Sequence, residues 1–146
     1  MSEANKAVVR RYIEEIGNQG NLAAVDELFS SDSIGHAPNH PEIRGREDRK
    51  QYFASLRKAF PDLHYTVGEL IAEGDKVVME WSFNATHTGV WWGIAATGGK
   101  ISISGTTMFR IANGMITDES FQWNALGFMQ QLGVVPALAQ TAGAAR

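Results

Sequence analysis

The sequence predicts an α+β domain in which a curved antiparallel sheet wraps around N-terminal helices to make a cone-shaped α+β barrel. Three observations carry this. Apolar residues recur at helical spacing through roughly the first sixty positions and at strand spacing after them. Two hairpin signals, Gly74-Asp75 and Asn113-Gly114, punctuate the second half, and Asn-Gly is the strongest short-range signal of that kind. The 146 residues suit a single core, with no internal repeat and no linker between domains.

Each element follows from local spacing. Val9, Ile13 and Ile16 lie at i, i+4 and i+7, broadened by Val8 and Tyr12, with Ser2 placed to cap the helix and Gly17 and Gly20 to end it. Asn21 is placed to cap a second helix whose Leu22, Val25, Leu28 and Phe29 share a face. The stretch SDSIGHAPNHPEIRG reads as irregular chain, or as a short strand over 33–36 followed by a loop. A third helix carries Tyr52, Phe53, Leu56, Ala59 and Phe60 and stops at Pro61. Residues 63–73, 76–87, 100–112 and 115–123 alternate or run in β-branched and aromatic residues, which predicts four strands in a meander. Residues 89–99 form a longer loop with Trp91 and Trp92. ALGFMQQLG is a short helix closed by Gly133. The domain is expected to span 1–136, with 137–146 a loose Ala-rich tail.

Composition narrows the function. A net charge of −3 without a dense Lys/Arg run argues against a nucleic-acid partner. The chain has no cysteine, which excludes disulfides, thiolate nucleophiles and thiolate metal ligands and fits a reducing cytoplasm. The opening MSEANKAVVRRYIEE lacks the apolar core of a secretion signal, and no apolar segment approaches the roughly 20 residues that cross a bilayer. A soluble, cytoplasmic protein without a membrane partner is expected.

A sheet curled around helices encloses an apolar pocket, the default ligand site. On the third strand-like segment Val77, Met79, Trp81, Phe83, Ala85 and His87 share the apolar face. His87 is therefore either a satisfied structural histidine or a group at the pocket rim. His36 and His40 lie in a Pro-containing loop with no helix to align their rings and no carboxylate at ligand spacing, so no metal is expected there. His36 alone suits acid/base work near neutrality. Trp81, Trp91 and Trp123 offer flat walls for an aromatic or extended apolar ligand, against the alternative of core and interface packing. Met108 and Met129 are flexible lining candidates or plain core.

AFPDL, LIAEGDKVVMEW, THTG and, after GMITDE, LGFMQQLG follow one another along the chain, with Tyr12, the His36 loop ending in Gly45, and FRIANGMI beside them. In this ordered set the chain resembles the SnoaL-like polyketide cyclases of the nuclear-transport-factor-2-like superfamily. The resemblance implies a small-molecule pocket at the wide end of the cone, ring closure by intramolecular aldol condensation without metal or cofactor, and an aspartate before the last helix as general acid/base. Other members hydroxylate polyketides with a partner reductase, and superfamily habit implies a homodimer. Here the aspartate position, set by Glu119 and Gly127, is Asn124. An amide cannot abstract a proton, although it can stabilise an oxyanion or simply cap the helix. The expected pocket is lined by Tyr12, His36, Trp81, Met108, Gln122 and Asn124, with Asn124, His36 and His87 as candidate catalytic groups. Tyr12, Trp81, Trp91, Met108, Gln122 and Trp123 are the candidate substrate contacts. A cyclase-type enzyme on a small apolar ligand, a non-catalytic binding protein, and an epoxide hydrolase faintly suggested by Arg110, Asp118 and Asn124 remain as alternatives.

Overall fold

A computed structural model of the chain describes residues 2–136. The expected tail at 137–146 lies outside them. Helix α1 (Ser2–Arg11) continues without a break into a π-helical stretch (Tyr12–Asn18), marked by the Gln19 amide donating to the Glu14 carbonyl at 3.0 Å. Such wide turns concentrate at functional sites. This one is held from outside: Arg57 Nη2 donates to the Gly17 and Asn18 carbonyls at 2.9 and 2.8 Å. The Asn18 side chain also exchanges two hydrogen bonds with the Tyr65 backbone.

A 3-10 turn (Leu22–Ala24) leads into a four-residue helix α2 (Val25–Leu28), and Asn21 makes no side-chain cap. Phe29 does not extend that helix, as its spacing suggested; it opens strand β1 (Phe29–His36), which begins earlier than the sequence indicated. A two-residue strand β2 (Ile43–Arg44) precedes α3 (Gly45–Ala59), where Asp48 reaches back to the Arg44 amide at 3.0 Å. That contact satisfies an otherwise orphaned donor at the helix start.

Strands β3 (His64–Glu73), β4 (Lys76–Thr86), β5 (Lys100–Ala112) and β6 (Met115–Trp123) form the expected meander, and α4 (Ala125–Gln131) follows. The sheet order is β2-β1-β6-β5-β4-β3. It is mixed rather than wholly antiparallel, because β1 joins β6 in parallel, with Gly35 opposite Glu119. The helical connection between N-terminal and C-terminal halves permits that pairing, which no local signal encodes. Register shifts at Val67/Leu70 and Arg110/Ile111 interrupt the ladders, as bulges that bend a sheet do. The sheet does not close. Its inner face buries Val77, Met79, Phe83, Ile101, Ile103 and Phe109 against Val9, Ile13, Ile16, Phe53 and Leu56 from the helices. Among the described residues no helix is long and apolar enough to cross a membrane.

Candidate functional site

The inner face and the helices enclose a cavity of about 50 Å³. Most of its wall is aromatic or aliphatic: Phe53, Phe60, Trp81, Trp91, Phe121 and Phe128 are among its lining residues. The only ionisable carboxyl group among the lining residues is Glu119. It alternates along β6 with Phe121 and Trp123 and so faces inward with them.

Glu119 is 3% exposed and Arg49 0%. Arg49 Nη1 donates to Glu119 Oε1, and the Tyr12 hydroxyl donates to Oε2 at 2.8 Å. Arg49 belongs to the inner stripe of α3, with Phe53 and Leu56 at i+4 and i+7. Its guanidinium crosses the chain at Gly35, where an added Cβ would stand 2.7 Å from Nη2, and lies 4.4 Å over the Phe29 ring. A side chain at position 35 would obstruct the ion pair. Among the described residues Arg49 Nε and Nη2 and the Ser33 hydroxyl, all buried, have no hydrogen-bond partner.

The environment fixes the protonation of the phenols. Burial, followed by the Glu119 charge, pushes Tyr12 well above its usual range, against the opposing effect of Arg49. Burial and then Glu119 raise Tyr52, while burial and then Tyr52 raise Tyr65. All three line the cavity as neutral hydrogen-bond donors. Burial acts to lower Arg49, but Glu119 and then Tyr12 outweigh it and hold the guanidinium above its ordinary value. A carboxylate, three phenols and a fixed cation in a mostly apolar space can exchange a proton with a bound molecule and stabilise a developing oxyanion.

The residues singled out in the sequence divide. Tyr12, Trp81, Trp91 and Trp123 line the cavity. Trp81 Nε1 donates to Thr107 Oγ1 at 2.9 Å, so its ring is fixed as a wall. Met108 and Gln122 do not line it. Met108 is 50% exposed between the buried Thr107 and Phe109, and Gln122 is exposed beside the buried Phe121, so strand alternation turns both to the outer face. His36, also outside the lining, is half exposed and places Nδ1 3.3 Å from Glu42 Oε2. Asn124 is exposed and absent from the wall; its Oδ1 accepts from the Gly127 amide at 2.9 Å and caps α4.

His87 is fully buried but is not a lining residue. Its backbone bonds to Gly99 and Gly98 at 2.8 Å each, and its Nδ1 lies 3.0 Å from Thr97 Oγ1. The next two amides, of Thr88 and Gly89, both donate to the Ala59 carbonyl. A Cβ on Gly89 would approach the Lys58 carbonyl to 2.8 Å. THTG is thus an anchor that fastens the loop over 89–99 to the end of α3. That loop turns tightly at Trp92, whose φ of +55° is rare for a bulky residue, and Trp91 and Ile94 exchange two backbone hydrogen bonds across the turn. Trp91 enters the cavity wall while Trp92 packs 5.0 Å from the Trp123 ring. Sequence reasoning missed Glu119 as a site residue, along with Arg49 and Tyr52. Among the described residues no group of three or more His, Asp or Glu is arranged to hold a metal ion.

The sequence model of the SnoaL-like polyketide cyclase family matches residues 6–132. Among solved structures, a candidate SnoaL-like polyketide cyclase from Jannaschia sp. CCS1 is similar with a TM-score of 0.85 and 21% identity, over 93% of this chain and 96% of that one. A candidate polyketide cyclase from Acidithiobacillus ferrooxidans has a TM-score of 0.78 and 30% identity over 90% and 95%. AclR, a candidate hydroxylase from Streptomyces galilaeus, has a TM-score of 0.84 and 23% identity over 99% and 90%. No curated protein matches the chain significantly.

Proposed function

Since the chain belongs to the SnoaL-like polyketide cyclase family, we propose that it acts on an apolar, oxygenated, polyketide-like small molecule by acid/base chemistry centred on Glu119. The observation that supports this is the Tyr12–Glu119–Arg49 set: one carboxylate with fixed partners in a wall otherwise made mainly of rings and aliphatic groups. In the proposed reaction Glu119 accepts a proton from carbon next to a ketone. The Tyr52 hydroxyl donates to the enolate oxygen, and the enolate carbon attacks a second carbonyl of the same molecule to close a ring. The proton on Glu119 then passes to the new alkoxide. The chain supplies every group in this sequence.

The second reading is a binding protein that does not turn its ligand over. Asn124, standing where the family resemblance leads one to expect an aspartate, favours it.

Both readings are tested by incubating the protein in deuterium oxide with an aromatic polyketide methyl ester bearing a ketone, following exchange at the adjacent carbon by NMR and ring closure by mass spectrometry. The enzyme reading expects both, with Glu119→Gln lowering the rate by about 10²–10⁴-fold, the usual contribution of a placed base. Binding without exchange supports the second reading. Full activity in a folded Glu119→Gln protein refutes the role of Glu119.

A further inference from the structure

Outside the cavity, a cleft of about 240 Å³ lies between the β1–β2 connection and α3. Glu42, Asp48 and Gln51 line it, together with His40, and Tyr52 and Trp91 form part of its wall. The same two residues line the inner cavity. Their rings stand edge to face, 5.8 Å between centroids. Two side chains that bound both spaces can separate or join them by rotating, whereas backbone cannot.

The geometry points to a single ligand site in two compartments, in which the outer cleft takes the hydroxylated end of a ligand whose apolar end enters between Tyr52 and Trp91. This rests on the reading that the inner cavity is the ligand site. Size is the first argument. Ligand pockets run from roughly 300 Å³ upward; neither space reaches that alone, and the two joined come close to it. The second is the change of chemistry across the aromatic pair. The inner wall is mainly rings and aliphatic groups, while the outer one is rich in hydrogen-bond acceptors.

Those acceptors are held in place. Glu42 Oε1 receives Arg44, and Asp48 Oδ2 receives the Arg44 amide at 3.0 Å. Each carboxylate has lone pairs beyond those contacts. His40 Nδ1 lies 2.7 Å from the Pro41 carbonyl, which can only accept, so the ring is held there by an Nδ1–H donor. A donor-rich, uncharged hydroxyl array matches this surface, with Tyr52 and Trp91 as its apolar floor.

The test compares 1-naphthol with 1-naphthyl β-glucoside, which carries the same rings and adds a hydroxylated end, by titration calorimetry. The natural protein is expected to prefer the glucoside by about tenfold or more, the size of one or two net hydrogen bonds. Glu42→Ala/Gln51→Ala changes two exposed polar residues of the cleft that have no part in the Glu119 set. It is expected to reduce the preference to within about twofold while leaving naphthol affinity unchanged. Equal affinities in the natural protein, or an undiminished preference in the variant, overturn the outer compartment and leave the inner cavity standing. No binding of either probe overturns both.

Discussion

Removing Arg49 tests whether Glu119 is a charge that the fold must compensate. Arg49→Met keeps an unbranched apolar stem but deletes the guanidinium that lies over the Phe29 ring, leaving the Glu119 carboxylate buried with only the Tyr12 hydroxyl. Breaking one side of a buried pair typically costs 3–5 kcal/mol. Against a total stability of about 5–15 kcal/mol, that is a large share. With a urea m-value near 2 kcal/mol per M, the midpoint should fall by about 2 M. Glu119→Gln should cost a similar amount, because Arg49 then lies at 0% exposure without its counter-charge. The double variant Arg49→Met/Glu119→Gln carries neither charge, and the amide oxygen still accepts from Tyr12. It should therefore be more stable than either single variant, with a coupling of about 3 kcal/mol or more. Urea unfolding followed by tryptophan fluorescence measures all four proteins. Losses that add to within about 0.5 kcal/mol would show that the two groups do not interact and would refute the ion pair as the organiser of the site.

Three further outcomes are expected. The chain has 3 tyrosines, and Tyr12, Tyr52 and Tyr65 are all raised by burial. Folded-state values above the unfolded value near 10 mean that their stabilisation is complete below about pH 10 and is lost as pH rises toward the folded values. Absorbance near 295 nm should thus show no phenolate near pH 10 and should rise only with unfolding; a tyrosine titrating normally in folded protein contradicts the burial argument. Asp62 is held low by its bonds from the Thr86 hydroxyl and amide. Its contribution is present above the unfolded value near 3.9 and is lost as pH falls through the folded value, so Asp62→Asn should flatten the loss of thermal stability below about pH 4. An identical acid limb would count against it. Asn124→Asp should stay within about 0.5 kcal/mol of the natural stability, because both residues cap helices well, and should leave ring closure unchanged. A gain of about tenfold or more would mean that position 124 does reach the substrate.

The frame was legible where structure is local. Helical spacing placed α1, α3 and α4, and alternation with Gly74 and Asn113-Gly114 placed β3 to β6. What was hidden depends on partners distant in sequence. The end of strand β1 was legible over 33–36, but its first residues and its parallel pairing depend on the edge that β6 offers, and no residue near Phe29 announces that pairing. The site was half legible for the same reason. Tyr12 and Trp81 sit in clear apolar stripes and line the cavity. Met108 and Gln122 have suitable chemistry on the wrong face, and counting from Phe109 and Phe121 would have turned them outward. The same count was available for Glu119, two residues before Phe121 and four before Trp123. Arg49, four residues before Phe53, likewise interrupts an apolar stripe. A charge in each of two converging apolar faces is a signal for a buried pair.

That signal also explains why a carboxylate at position 119 and one at position 124 are not equivalent. A residue at the start of α4 has an obligation to the free amides of the first turn, and Asn124 meets it through Gly127. An added Cβ at position 127 would stand 2.3 Å from the Asn124 side-chain nitrogen, so the glycine there gives the cap its room. Any reacting group at 124 must give up that contact to reach the cavity. Glu119 is tied instead to Tyr12 and Arg49, and those contacts leave it facing the cavity. Its strand fixes the direction, Tyr12 and Arg49 occupy one lone pair on each oxygen, and the remaining acceptor capacity faces a space walled mainly by rings. Pre-placement of this kind avoids reorganisation at the moment of proton transfer. The π-helical turn adds to it from the other side: the turn opens at Tyr12, whose hydroxyl donates to the carboxylate at 2.8 Å, and its far end is held by Arg57 on the Gly17 carbonyl and by Asn18 on the Tyr65 backbone.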